Sequence, residues 1–160
     1  MRSSGRAKRR SSRGGLVGRF AALVPGFNER ALDLEDLAAI CDRVGIEVVE
    51  VPLRRYHGCA VYVDGLPFLY LNSLLAPPEK IIAGWHEFAH LVDHPPDLRV
   101  FTSTGGLWNL GKAERQAQAV GCLALMPDAE VWGLNLPEIM ERYGVPRQVA
   151  EFRLDLMFSS

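Results

Sequence analysis

The sequence predicts an α+β fold in which a small antiparallel sheet packs against a central helix and further helices. Three observations carry that prediction. Leu34, Leu37, Ala38, Cys41 and Val44 recur at helical spacing. Two β-rich runs, Cys59 to Val63 and Leu66 to Asn72, flank Asp64-Gly65, the dipeptide of a tight hairpin. Paired prolines, Pro77-Pro78 and Pro95-Pro96, bracket a stretch of helical character, since proline is tolerated in a first turn and stops a helix elsewhere.

Taken in order, an amphipathic helix runs from Leu32 to Val44, with Gly45 placed as its C-terminal cap. Strands follow at 46–51, 59–63 and 66–72, and then the proline-bounded helix, which ends at His94. The polar, glycine-bearing segment from Asp97 to Gly111 reads as a loop and as a possible lid over a cleft. A helix from Lys112 to Leu125 stops before Pro127, and 128–143 and 146–158 read as short helices separated by Gly144. No internal repeat is present. A chain of 160 residues fits one domain with a single core.

Charge is distributed unevenly. Residues 1–19 hold seven basic groups and no acid, which leaves the rest of the chain at −8. Residues 1–15 are also rich in Ser and Gly and poor in large apolar side chains, so they are expected to be a disordered basic tail ahead of one domain at 16–160. Contact between that tail and nucleic acid is the less favoured reading, to be tested by the salt dependence of DNA affinity. Arg19 interrupts the apolar run from Leu16 to Val24 and no A-x-A site follows, which argues against a signal peptide; no stretch reaches the ~18 apolar residues of a membrane span. Cys41, Cys59 and Cys122 are odd in number and widely spaced, as expected of reduced thiols in a cytoplasmic protein.

Inside the proline-bounded helix lies His86-Glu87-Phe88-Ala89-His90, an H-E-x-x-H pattern. Histidines four residues apart share one helix face and can reach one metal ion. Glu87, about 100° around the helix, is placed to hold and deprotonate water rather than to ligate. Chance would produce the pattern in about one such chain in 150 at this His and Glu content.

A catalytic zinc site takes three protein ligands and keeps one position open, so a third ligand is needed. His94 cannot join His86 on the same ion, because eight residues of helix separate them by ~12 Å. The metzincin pattern fails too, since Asp93 and Pro96 stand where it requires Gly and His. Glu114 is the better candidate, near the start of a helix that could pack alongside the first; Asp93, Asp97 and His57 remain alternatives, and a solvated helix charge is the ordinary reading of Glu114. Gln118, four residues after Glu114, and Asp93, three after His90, are candidates to hydrogen-bond the outer nitrogen of a ligating histidine. With these roles zinc would polarise a scissile carbonyl and acidify water while Glu87 moves the proton to the leaving amine. Tyr56, His57, Tyr62, Tyr70 and Arg115 could each serve the oxyanion by residue type, and the sequence does not choose among them. Two imidazoles and a carboxylate could also hold Mn²⁺, Fe²⁺ or Co²⁺.

The run HEFAH, followed by an Ala-rich helix that begins at Glu114 and ends in Leu125-Met126-Pro127, resembles the ImmA/IrrE family of metallopeptidases. The amphipathic helix, Gly45-Ile46 and the strands to Asn72 match the same pattern, so the likeness spans roughly residues 32 to 157. It implies a zincin-like domain with His86, His90 and Glu114 as zinc ligands and Glu87 as general base. Gln118 stands where the family usually has Asn or Asp, and Val120-Gly121 where it usually has Phe-Ala. The resemblance also implies a protein substrate, typically a helix-turn-helix repressor of stress-response or mobile-element genes, and a short helix-turn-helix-like segment at 137–157. The competing expectation is a catalytically silent module of the same fold, part of a toxin-antitoxin or mobile-element control pair. An intact Glu87 favours the enzyme.

Overall fold

In the computed structural model, which describes residues 12–93, 101–103 and 111–159, the chain opens with α1 (Ser12–Leu23). This helix begins within the stretch expected to be a disordered tail, and residues 1–11 lie outside the described ones. Leu16, Phe20, Val24 and Phe27 are buried, a three-to-four-residue spacing that carries one apolar stripe into the core. The Phe20 ring lies 5.8 Å from that of Phe27, tilted, and 6.4 Å from that of Phe88, edge to face.

The amphipathic helix α2 (Leu34–Val44) is closed at both ends by its own sequence. Asp33 and Asp36 form a reciprocal capping box, and Gly45, at φ 80°, ends the helix in the left-handed conformation that glycine adopts at no steric cost. Leu37, Ile40 and Cys41 are its buried face.

Strands β1 (Glu47–Val51), β2 (Gly58–Val63), β3 (Leu66–Asn72) and β4 (Phe101–Ser103) form one sheet in the order β1-β3-β2-β4. Asp64 (φ 52°) and Gly65 (φ 77°) make the hairpin turn with both central residues at positive φ, the geometry that matches strand twist. The sheet is mixed, not purely antiparallel: β1 pairs parallel to β3, while β2 pairs antiparallel to both β3 and β4. The hairpin partner β2 occupies one side of β3, so β1 joins the other side, where its direction repeats that of β3. β4 falls within the segment expected to be a loop, and the remainder of the proposed lid, save Gly111, lies outside the described residues.

Helix α3 (Pro77–Asp93) crosses the molecule with every residue from Ile82 to Leu91 buried. It packs on β2 and β3 and, most extensively, on α4 (Lys112–Leu125), where Ala117 to Leu125 are buried. A Cβ at Gly121 would lie 2.5 Å from the Ile82 carbonyl oxygen, so glycine sets how near α4 comes to α3. The stretch 128–143 is two helices, α5 (Asp128–Val131) and α6 (Leu136–Tyr143), because Gly133 turns at φ 84° and Asn135 caps a new helix with Glu138. After Gly144, α7 (Arg147–Phe158) returns over the core with Ala150, Phe152, Arg153 and Leu156 buried. Arg153 donates to the Met126 carbonyl at 2.7 Å and to Asp128 at 2.6 Å, which ties α7 to the end of α4. Among the described residues no helix is long and apolar enough to cross a membrane.

Candidate metal centre

His86 and His90 lie one turn apart on α3 and Glu114 lies in the first turn of α4, and the close approach of the two helices brings all three together. Their ligand atoms lie within 4.8 Å of one another. His86 Nε2 is 3.0 Å from Glu114 Oε2, His90 Nε2 is 2.8 Å from Glu114 Oε1, and the two Nε2 atoms are 3.2 Å apart. Ligand atoms at about 2.1 Å from one tetrahedral ion would stand about 3.4 Å apart, so a small divalent cation fits with shifts of a few tenths of an ångström. Nitrogen and carboxylate oxygen are also the donors such an ion takes.

The imidazoles are buried while Glu114 is 31% exposed, so the cluster has a dry inner wall and one side open to solvent. Gln118, buried one turn along α4 from Glu114, accepts from His86 Nδ1–H at 2.9 Å. That bond fixes the ring and the tautomer with Nε2 facing the cluster. The Gln118 amide nitrogen in turn donates to Cys122 Sγ at 3.7 Å.

Charge in the cluster is shared. Burial alone would raise the Glu114 carboxyl, but hydrogen bonds from His86 and His90 and their positive charge outweigh it and hold the group at about 2. Burial works against the charged form of His86, yet Glu114, Glu87 and Gln118 together raise it. A divalent cation would compete with protons for these ligand atoms.

Glu87 is fully buried between α3 and β2. His57 joins His86 and Gln118 in lining a cleft walled by Ile82, Ala83, Pro146 and Val149, with Glu79 also on it. The loop that carries His57 is held by the Asn72 side chain, which accepts from Leu53 N at 3.1 Å and donates to the carbonyls of Leu53 (2.8 Å) and Tyr56 (3.1 Å). The other candidates make contacts of their own. Asp93 takes the Arg19 guanidinium at 3.1 Å, and the Tyr62 hydroxyl donates to the Leu91 carbonyl at 2.9 Å. Arg115 lies over the Phe152 ring, Tyr70 stacks on Phe68, and Tyr56 is exposed. His94 and Asp97 lie outside the described residues. Asn72, which holds the His57 loop, and Gly58, which lies against Glu87, were missed in the sequence, where an Asn ending a strand and a Gly opening one carry no distinguishing pattern.

An α+β domain that aims two histidines and a glutamate from adjacent helices at one point, with a second glutamate inside the H-E-x-x-H turn, defines a metallopeptidase-type fold. The sequence matches the IrrE N-terminal-like domain, a peptidase family, over residues 41–155, more than two thirds of the chain. The protein belongs to that family. A comparison with curated proteins found no similar sequence.

Proposed function

We propose that this protein is a zinc-dependent endopeptidase of the cytoplasm that cleaves a helix-turn-helix transcriptional repressor. The observation that carries the peptidase reading is the convergence of His86, His90 and Glu114 beside a buried Glu87 on the same helix. Membership of the peptidase family supports it.

Zinc held by these three residues would supply the Lewis acid that polarises the scissile carbonyl and makes water acidic enough to react near neutral pH. Glu87 then accepts the proton of the attacking water and returns it to the leaving amine, as a buried carboxylate one position from a ligand is placed to do. Gln118 keeps the His86 ring from turning, and the exposed side of Glu114 leaves a face from which substrate enters. His57, on the cleft beside His86, is the group best placed to meet the oxyanion, since Tyr62 and Arg115 are engaged elsewhere. The repressor as substrate rests on the likeness to the ImmA/IrrE family alone.

Incubation of purified zinc-loaded protein with the repressor encoded nearest its gene tests the reading. Cutting at one site by wild type, lowered by at least about 100-fold in Glu87→Gln, is the expected result. Cutting of no candidate, or cutting that survives Glu87→Gln, would turn the assignment toward a silent binding module.

A further inference from the structure

Gly58 opens β2, pairs with Leu71 on one side and Ser103 on the other, and is buried. Its φ is not in the left-handed region, unlike that of Gly45, Gly65 or Gly144, so no turn demands glycine here. A glycine within a strand weakens it, because the freer backbone loses more entropy and offers no side chain to pack. The reason lies in space. A Cβ at position 58 would stand 2.8 Å from Glu87 Cγ, 3.4 Å from Glu87 Cδ and 3.1 Å from the Tyr70 carbonyl oxygen.

These neighbours close off both escapes. Tyr70 belongs to β3, whose pairing with β2 would be pulled apart if the strand retreated. Glu87 is fully buried, so its stem cannot swing aside into solvent. The carboxylate therefore lies against β2, which agrees with the neighbouring Cys59 thiol, pushed up by burial and then by the charge of Glu87.

We infer that Gly58 is a positioning residue for Glu87: the missing side chain is the slot along β2 in which the stem of the general base lies. The inference rests on the proposed peptidase role of Glu87 for its functional meaning, though not for the contact itself. A methyl group at position 58 displaces the carboxylate by about an ångström while leaving the three metal ligands, which lie on α3 and α4, in place. A misplacement of that size costs on the order of 100-fold in rate.

The test is a cycle of wild type, Gly58→Ala, Glu87→Ala and the double variant, each read for zinc content and thermal unfolding, with a crystal structure of zinc-loaded Gly58→Ala. Gly58→Ala is expected to unfold roughly 3–10 °C lower than wild type with zinc retained. In the Glu87→Ala background the same change should cost clearly less, because the closest contact is gone and only the 3.1 Å approach to the Tyr70 carbonyl oxygen remains. The crystal structure should show the Glu87 carboxylate moved and His86, His90 and Glu114 unmoved. On a repressor that wild type cuts, kcat should fall about 100-fold at unchanged KM. Equal losses of stability in both backgrounds, or Glu87 in its wild-type place in the variant, would overturn the inference. If Gly58→Ala fails to fold, folding of the double variant supports the contact and its failure refutes it. Should wild type cut nothing, the peptidase reading fails while the stability cycle still judges the hold of Gly58 on Glu87.

Discussion

Gln118 accepts one hydrogen bond, from His86 Nδ1–H at 2.9 Å, and that bond decides which nitrogen faces the cluster. Outer partners of ligating histidines are typically worth 10- to 100-fold in metal affinity. Gln118→Ala should therefore weaken zinc binding by about that factor in a chelator competition, with the folded state retained. An unchanged affinity would mean that packing alone orients His86. At this scale the sequence was informative where spacing constrains chemistry. His86, Glu87 and His90 could be singled out from four residues of register, and Glu114 from its place near the start of the next helix. Gly58 and Asn72 act through contacts that β2 and β3 make with α3 and with the loop before β2, and nothing local distinguishes them from other residues of their type, whereas His57 could be named by residue type alone.

Elements were legible where the chain carries its own stop signals. Gly45, Pro77 and Gly144 bound their helices near the expected positions, because caps and prolines act within one turn. The break at Gly133 and the pairing of Phe101–Ser103 were not, since one requires a turn inside an apparent helix and the other a partner strand distant in sequence. At the α3–α4 crossing, Gly121 lets the two helices meet closely. Gly121→Ala puts a Cβ 2.5 Å from the Ile82 carbonyl oxygen, a backbone atom, and should cost about 1–3 kcal/mol in denaturant unfolding while weakening zinc binding, because Glu114 rides on α4. Full stability and affinity in Gly121→Ala would show that the helices have slack.

The capping box of α2 also carries a pH signature. Asp36 is held at about 2, against an ordinary 3.8, chiefly by its hydrogen bond from Arg30, with burial opposing and the Asp33 amide assisting. A carboxyl whose folded value is depressed stabilises the fold fully above its unfolded value and ceases to do so as pH falls through the folded one. The unfolding temperature of wild type should therefore fall more steeply between pH 4 and pH 2 than that of Asp36→Asn. Parallel profiles would remove Asp36 from acid sensitivity.

On the scale of the whole molecule, α1 falls outside the family match at 41–155, yet Phe20 reaches Phe88 inside the H-E-x-x-H turn. Its apolar stripe was visible as Leu16, Phe20, Val24 and Phe27, but Arg19 within the run and the basic residues before it masked a helix whose other face stays in solvent. The α+β class followed from alternating periodicities, whereas the parallel pairing of β1 depends on which edge of β3 the hairpin leaves open. All of these layers serve to bring α3 and α4 together at one point, and the claim that the point is a metal centre is the one to test first. Elemental analysis of purified wild type, Glu114→Gln and Glu87→Gln measures it directly. About one zinc per chain in wild type and in Glu87→Gln, with most of it lost in Glu114→Gln, is the predicted result; a wild type without metal, or undiminished zinc in Glu114→Gln, would contradict it.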